Sequence, residues 1–321
     1  MLKKFIFKGI ILSCIIFSVL YLVSPVLIRN WNTDKIRKGI YAEDNSFDIL
    51  FLGSSHMNGL MDPDVISEKC NLKSYNYGTG GQPISVTYYL LKEILNNQPV
   101  PKMVVLDTYY LGLTSDYGEE SYIRYVLDNM KLSQNKIDAI KASVPSNDKW
   151  SYIFPFLKYH TRWSYLTEDD YNFDLSKYSD ITGFGAGSET YGYDLVSPSS
   201  QSSSVIGEIP TISSQYLYKI IDLSKEYGFD LVFVNTPYDY TSNDSMNNWV
   251  PDDAAMFNKV EEVALENNIP FINYSTLEKM KEINFDFKND MNNNGHVNIL
   301  GAAKVSSDFA DFINANYKYN S

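Results

Sequence analysis

Apolar residues along this chain fall into three textures. From Gly9 to Ile28 they run on with only Ser, Pro and Tyr between them and no charge. About 20 such residues, rising about 1.5 Å each, are enough for a hydrocarbon core of about 30 Å. Lys3, Lys4 and Lys8 precede the run. A cleavable signal peptide would have a shorter apolar region ending in small residues. Here the run closes on Val23-Ser24-Pro25-Val26, a poor cleavage site. Ile11-Leu12-Ser13-Cys14 faintly resembles a lipoprotein cleavage box, but the apolar run continues past Cys14. The pattern therefore predicts a transmembrane anchor over residues 1–28, followed by a polar linker over 29–46.

The second texture is a set of short apolar runs that stop at small or polar residues: 48–52, 74–77, 103–106, 230–234 and 270–273. Runs of this length read as buried strands. Between them lie stretches with apolar positions at helical spacing: 61–70, 83–97, 211–227, 252–267 and 299–315. Asp62 followed by Pro63 is a helix-start signal. Alternation of strand, loop and helix predicts an α/β fold with a mainly parallel sheet between two helical layers. Residues 113–210 break the rhythm. They carry a helical pattern near 119–143, an aromatic stretch and a Gly/Ser-rich run over 183–206, and read as an insertion, partly loop, beside the active site. The expected organisation is an anchor, a linker and one α/β domain over 47–321.

Charge sharpens this picture. The net charge is −12, but residues 1–40 hold seven Lys/Arg against one Asp. The body is thus strongly acidic, which excludes nucleic acid as a partner, since phosphate binding needs a basic surface. Arg29, Lys35, Arg37 and Lys38 on the far side of the apolar run leave its orientation open by the positive-inside rule. Cys14 and Cys70 are the only cysteines and imply no disulfide framework. With only His56, His160 and His296, a multi-histidine metal site is disfavoured, and no cofactor is implied.

Three places then carry candidate chemistry. Gly53-Ser54-Ser55-His56 follows the first strand directly. Catalytic groups in open α/β sheets gather at the carboxyl ends of strands. A Ser-Ser pair at such a place is also a common turn or helix cap. His56 is a rival base, although adjacent side chains usually diverge. Asn76-Tyr77-Gly78-Thr79-Gly80-Gly81-Gln82 follows the second strand, where glycines let a substrate approach the backbone. It does not match a phosphate loop. Asp290-Met291-Asn292-Asn293-Asn294-Gly295-His296 precedes the last helix and can fix a histidine ring beside a serine. Asp286 and Asp290 suggest calcium ligation, but the spacing lacks the ordered ligands of an EF-hand loop.

Taken together, these segments resemble the SGNH/GDSL hydrolase superfamily. Phe51-Leu52-Gly53-Ser54-Ser55-His56 is similar to its first block, Asn76 to Gly81 to its second, and Gly295-His296-Val297-Asn298 with Gly301-Ala302-Ala303-Lys304 to its last. Their order and spacing agree over residues 47–315. The resemblance implies a flavodoxin-like three-layer sandwich, with Ser55 as nucleophile, His296 as base and no cofactor. It also implies an oxyanion hole drawing on the N–H groups of Ser55 and Gly81, with Ser54 and His56 nearby. The family's third block usually supplies an Asn; here Asp107-Thr108-Tyr109 stands there, so Asp107 is expected to point elsewhere or be protonated. The triad acid usually lies three residues before the histidine, which is Asn293; Asp290 is the alternative third member. The anchored architecture further resembles bacterial cell-envelope members of the group, including the D-alanyl transfer protein of teichoic acids and proteins working beside membrane-bound O-acyltransferases. It implies a single-pass protein of the cell membrane with an extracytoplasmic domain, and an acylated glycan or polymer as substrate. Pro155 to Trp163 resembles a segment of these anchored members; His160 and Arg162 are its candidate anion contacts. Hydrolysis and transfer stay equally open, and an inactive anchored binding or assembly partner is the alternative.

Overall fold

The computed structural model describes residues 2–28, 31–42, 46–171 and 182–319, without the side chains of 31–34 and 169. Five strands form its sheet: β1 (Ile49–Leu52), β2 (Ser74–Asn76), β3 (Met103–Asp107), β4 (Asp230–Asn235) and β5 (Phe271–Asn273). The order is β2-β1-β3-β4-β5, with every pair parallel. β1, β3 and almost all of β4 are buried along their length, so they read in sequence as unbroken apolar runs.

Handedness explains the two helical layers. The step from β1 to β2 runs toward one edge of the sheet, and every later step runs toward the other. Right-handed crossovers then place helix Pro63–Cys70 on one face, and helices Ile84–Asn97, Thr211–Tyr227 and Asp253–Glu266 on the opposite face. The closing helix Ile299–Asn316 returns to pack on Pro63–Cys70. Helix Pro63–Cys70 begins as the sequence predicts: the Asp62 carboxylate accepts from Asp64 N, and Pro63 takes the first turn. The strand order reverses between β1 and β3, which is where open α/β sheets leave a crevice at their carboxyl ends.

Helix α1 (Leu2–Ile28) is the only helix among the described residues long and apolar enough to cross a membrane, and nearly all of its surface is exposed. Its last turn differs: Ser24, Leu27 and Ile28 are buried against the rest of the chain. The stretch expected as a polar linker contains a second helix, α2 (Trp31–Tyr41). Ile36 and Ile40 of α2 are fully buried in the main core. Tyr75 and Tyr77 donate their hydroxyls to the carbonyls of Lys35 and Gly39, at 2.7 and 2.6 Å. The linker is thus in large part a docked helix.

The insertion is helical up to Tyr171. The pattern near 119–143 resolves into helices Glu120–Leu127 and Gln134–Ser143, followed by Lys149–Ile153, Phe156–Tyr159, a 3₁₀ turn at His160–Tyr165 and Glu168–Tyr171. Arg124 holds it together, stacked on Tyr152 at 3.8 Å and paired with Glu120 and with the buried Asp128. The Gly/Ser-rich run is irregular apart from a 3₁₀ turn at Pro198–Gln201, and it is pinned to the last block and to the loop after β4. Ile299 N donates to Gly187 O, Tyr191 N to Met291 O and Val196 N to the Asp239 carboxylate.

Candidate functional site

The site forms where β1 ends. Gly53 has φ +152°, and a Cβ there would lie 2.4 Å from the Asp107 Cβ. Only glycine lets β3 bring Asp107 this close to the turn. The next residue, Ser54, caps helix α3 (Ser55–Leu60), accepting from His56 N. Its hydroxyl donates to Asp107 Oδ2 at 2.7 Å, and its N–H donates to the same oxygen at 3.1 Å. Ser54 is completely buried. The expectation that it contacts substrate is therefore corrected: both its polar groups are spent on the turn. Asp107 also accepts from Tyr109 N at 3.0 Å. It points at the turn, as one of the two sequence readings allowed, and burial pushes its carboxyl above the usual range against the pull of these hydrogen bonds.

Ser55 stands half-exposed at the first position of α3, with its Oγ 2.8 Å from His296 Nε2. The two residues are 241 positions apart in the chain. His296 is held by a local turn. Asn293 Oδ1 accepts from Gly295 N and from His296 N, both at 2.9 Å, and lies 3.2 Å from His296 Nδ1. Two backbone donors fix that atom as the amide oxygen. An oxygen can only accept, so Nδ1 must carry the ring proton. Nε2 is then bare and accepts from Ser55 O–H. Burial lowers the His296 pKa, which keeps the ring neutral and able to take a proton.

Asp290 does not fill the third place. Its buried carboxylate takes the Lys304 ammonium at 2.6 Å and Asp286 N at 2.7 Å, which ties helix Phe287–Asp290 to the closing helix. No hydrogen bond joins it to His296 among the described residues, and Asn293 has that contact. His56 sits behind the pair and is buried. Its Nδ1 lies 2.7 Å from Thr236 Oγ1, its ring stacks on Tyr109 at 3.6 Å, and the His296 ring is 4.7 Å away. Burial drives its pKa far down and the neighbouring His296 lowers it further, so it is a neutral wall rather than a second base.

Gly81 adopts φ +55°, and a Cβ there would meet the Tyr122 ring at 1.9 Å. The insertion therefore presses on the glycine loop, and no other residue fits. The N–H groups of Ser55 and Gly81 have no hydrogen-bond partner among the described residues, which leaves both as uncommitted donors.

His160 and Arg162 are elsewhere. Arg162 donates to the carbonyls of Val26 and Leu27 at 3.1 and 2.7 Å and pairs with Asp170. Those carbonyls belong to the last described turn of α1, where helix carbonyls call for partners from outside the helix. Exposed His160 leans on Phe156, with Nδ1 3.2 Å from Leu157 O. Of the two expected anion contacts, Arg162 thus docks α1 and His160 rests on its own turn. Among the described residues no cluster of His, Cys, Asp and Glu is arranged to hold a metal.

Residues not singled out from sequence complete the wall. Tyr109 and Thr236 lie just past the carboxyl ends of β3 and β4, and that strand-end position was the signal available for them. Behind them Tyr238, Asn243 and Trp249 donate to Asp253, whose carboxyl is pushed up to about 6 by burial.

No family model matches the chain, and no curated protein matches it. Solved structures with a similar chain path include a lipase/acylhydrolase from Enterococcus faecalis. It is 10% identical, with 86% of this chain and 100% of that chain covered and a TM-score of 0.41. A protein from Lactobacillus plantarum is 11% identical over 85% of this chain and 100% of its own, with a TM-score of 0.39. A protein from Bacteroides fragilis is 12% identical over 89% and 98%, with a TM-score of 0.36. Scores this low leave the chemistry to rest on the side chains themselves.

Proposed function

We propose that this chain is a membrane-anchored serine esterase or O-acyltransferase that works through a covalent acyl-enzyme. The observation that carries the reading is the 2.8 Å contact of Ser55 Oγ with a His296 Nε2 that its own ring tautomer leaves bare. Ser55 Oγ attacks the ester carbonyl carbon as Nε2 takes its proton. The carbonyl oxygen becomes an oxyanion, with the Ser55 and Gly81 N–H groups as its available donors. Collapse expels the alkoxide, which takes the proton back from Nε2. Water or an acceptor hydroxyl then gives its proton to Nε2 and attacks the acyl carbon, and collapse releases Ser55 Oγ, which takes that proton from Nε2. Asn293 orients the ring but supplies no charge for the imidazolium, an arrangement also used by Cys-His-Asn proteases.

The three resembling sequence blocks and the apolar helix α1 support the finer reading. In it the protein sits in the cell membrane with its domain outside the cytoplasm. It acts on an acylated envelope glycan or teichoic-acid-like polymer, beside a membrane-bound O-acyltransferase. A second reading, an inactive anchored partner that keeps the fold, is favoured by one observation: Asn293 stands where a carboxylate would.

Turnover of a small aryl acetate by the full chain in detergent separates the two. The enzyme reading expects turnover that falls by about 10³-fold or more in Ser55→Ala and in His296→Ala. Equal rates in wild type and both variants would favour the inactive partner.

A further inference from the structure

Outside the site, the largest exposed feature next to α1 is the segment 149–165. Trp150, Phe154, Leu157, Trp163 and Tyr165 are exposed side chains in it, and Trp163 and Tyr165 are 71% and 79% exposed. The segment runs beside α1. The Phe154 ring lies 5.5 Å from Phe17, and Arg162 holds the α1 carbonyls at Val26 and Leu27. Phe17 lies about 15 Å below Leu27 along a helix that rises about 1.5 Å per residue. Phe154 is therefore level with the middle of the apolar helix, and Trp163 and Tyr165, next to Arg162, with its end. Between the segment and α1 is an apolar cavity of about 700 Å³ walled by Phe17, Leu20, Phe154 and Leu157.

We propose that segment 149–165 is a membrane-contacting patch, with Trp163 and Tyr165 in the headgroup layer at the end of α1 and Trp150 and Phe154 deeper, against the apolar helix. The proposal rests on the anchoring of α1 put forward above. Trp and Tyr favour this layer because their rings are apolar while their N–H and O–H groups need polar partners. Residues 149–165 contain no Asp or Glu in an otherwise acidic chain, so anionic headgroups meet no repulsion from the segment. Lys158 and Arg162 are paired with Glu120 and Asp170, and Lys149, hydrogen-bonded to the Lys141 carbonyl, adds one cation that favours anionic headgroups, so apolar burial carries most of the contact. The patch makes a second attachment of the domain, about a helix width from the first. A domain tied at two points cannot swivel freely on its anchor, which fixes the direction the Ser55 site faces relative to the bilayer.

The test uses the full chain in phosphatidylcholine/phosphatidylglycerol vesicles, with bromine carried on the lipids either near the headgroups or near the bilayer centre. In a Trp31→Phe parent, which removes the other tryptophan next to the end of α1 and serves as wild type here, tryptophan emission is compared with that after Trp150→Phe/Trp163→Phe, two changes at exposed positions. A third variant adds Ile15→Trp, at an exposed position halfway along α1, to the double variant. Headgroup-level bromine is expected to quench wild type and to lose most of that effect in the double variant. Central bromine is expected to quench Ile15→Trp. Equal quenching of wild type and double variant, with Ile15→Trp still quenched from the centre, would overturn the patch and leave the anchor standing. If Ile15→Trp is not quenched either, the anchor fails and the patch with it.

Discussion

The carboxyl edge of the sheet and the segment 149–165 each hold a histidine among aromatic rings, and the two are built in opposite ways. At the sheet edge nearly every polar atom has a partner: Asn293 Oδ1 accepts two backbone N–H groups and faces the ring proton. Ser54 and Asp107 consume each other. Two donors, the N–H groups of Ser55 and Gly81, are left over. In 149–165 Trp150, Phe154, Trp163 and Tyr165 face outward while Tyr152 is buried under Arg124, His160 is exposed, and Arg162 is spent on the end of α1. In the proposed reading the first region serves chemistry and the second attachment, although both draw on the same residue types. The difference lies in what their neighbours leave unsatisfied.

The sharpest way to break this contrast is at Asn293. Asn293→Leu removes the oxygen that fixes the His296 tautomer, and aryl acetate turnover is expected to fall by about 10²-fold or more. Asn293→Asp keeps an oxygen in place and adds a charge that favours imidazolium, so turnover should hold or rise. The pH profile reads the same point. In wild type, burial lowers the His296 pKa, so the acidic limb of kcat/KM should lie below about 6.5, the ordinary histidine value. In Asn293→Asp the limb should move upward. A Leu variant as active as wild type would remove Asn293 from the account.

A smaller effect is expected at the other region. Arg162→Ala removes the guanidinium from two helix-end carbonyls and from Asp170, which keeps Thr167 N and Oγ1 as donors. Stability should drop by about 1–3 kcal/mol in a denaturation series, while turnover of a soluble aryl ester stays within about twofold. A large loss of turnover at unchanged stability would place Arg162 in the chemistry after all.

Much of this was legible before any coordinates. β1, β3 and β4 announce themselves because strands covered on both faces must be apolar throughout. Ser55 and His296 could be picked out because each sits at a junction that catalytic groups favour. Helix α2 does not show in the pattern because few of its described side chains are apolar, chiefly Ile36 and Ile40, and its other attachments, among them the Tyr75 and Tyr77 hydroxyls and the Gln98 amide, come from far along the chain. Asp290 looked as good as Asn293 because local spacing cannot show that Lys304, on the next helix, already holds that carboxylate. His160 and Arg162 looked like anion ligands because the carbonyls that claim Arg162 are 135 residues or more away.

The central claim is that His296 activates Ser55 as a nucleophile. It is tested most directly by treating the full chain with a fluorophosphonate and locating the adduct by mass spectrometry. The account predicts one adduct on Ser55, absent in Ser55→Ala and much slower to form in His296→Ala. An adduct on another serine, or labelling unchanged by either substitution, would contradict it.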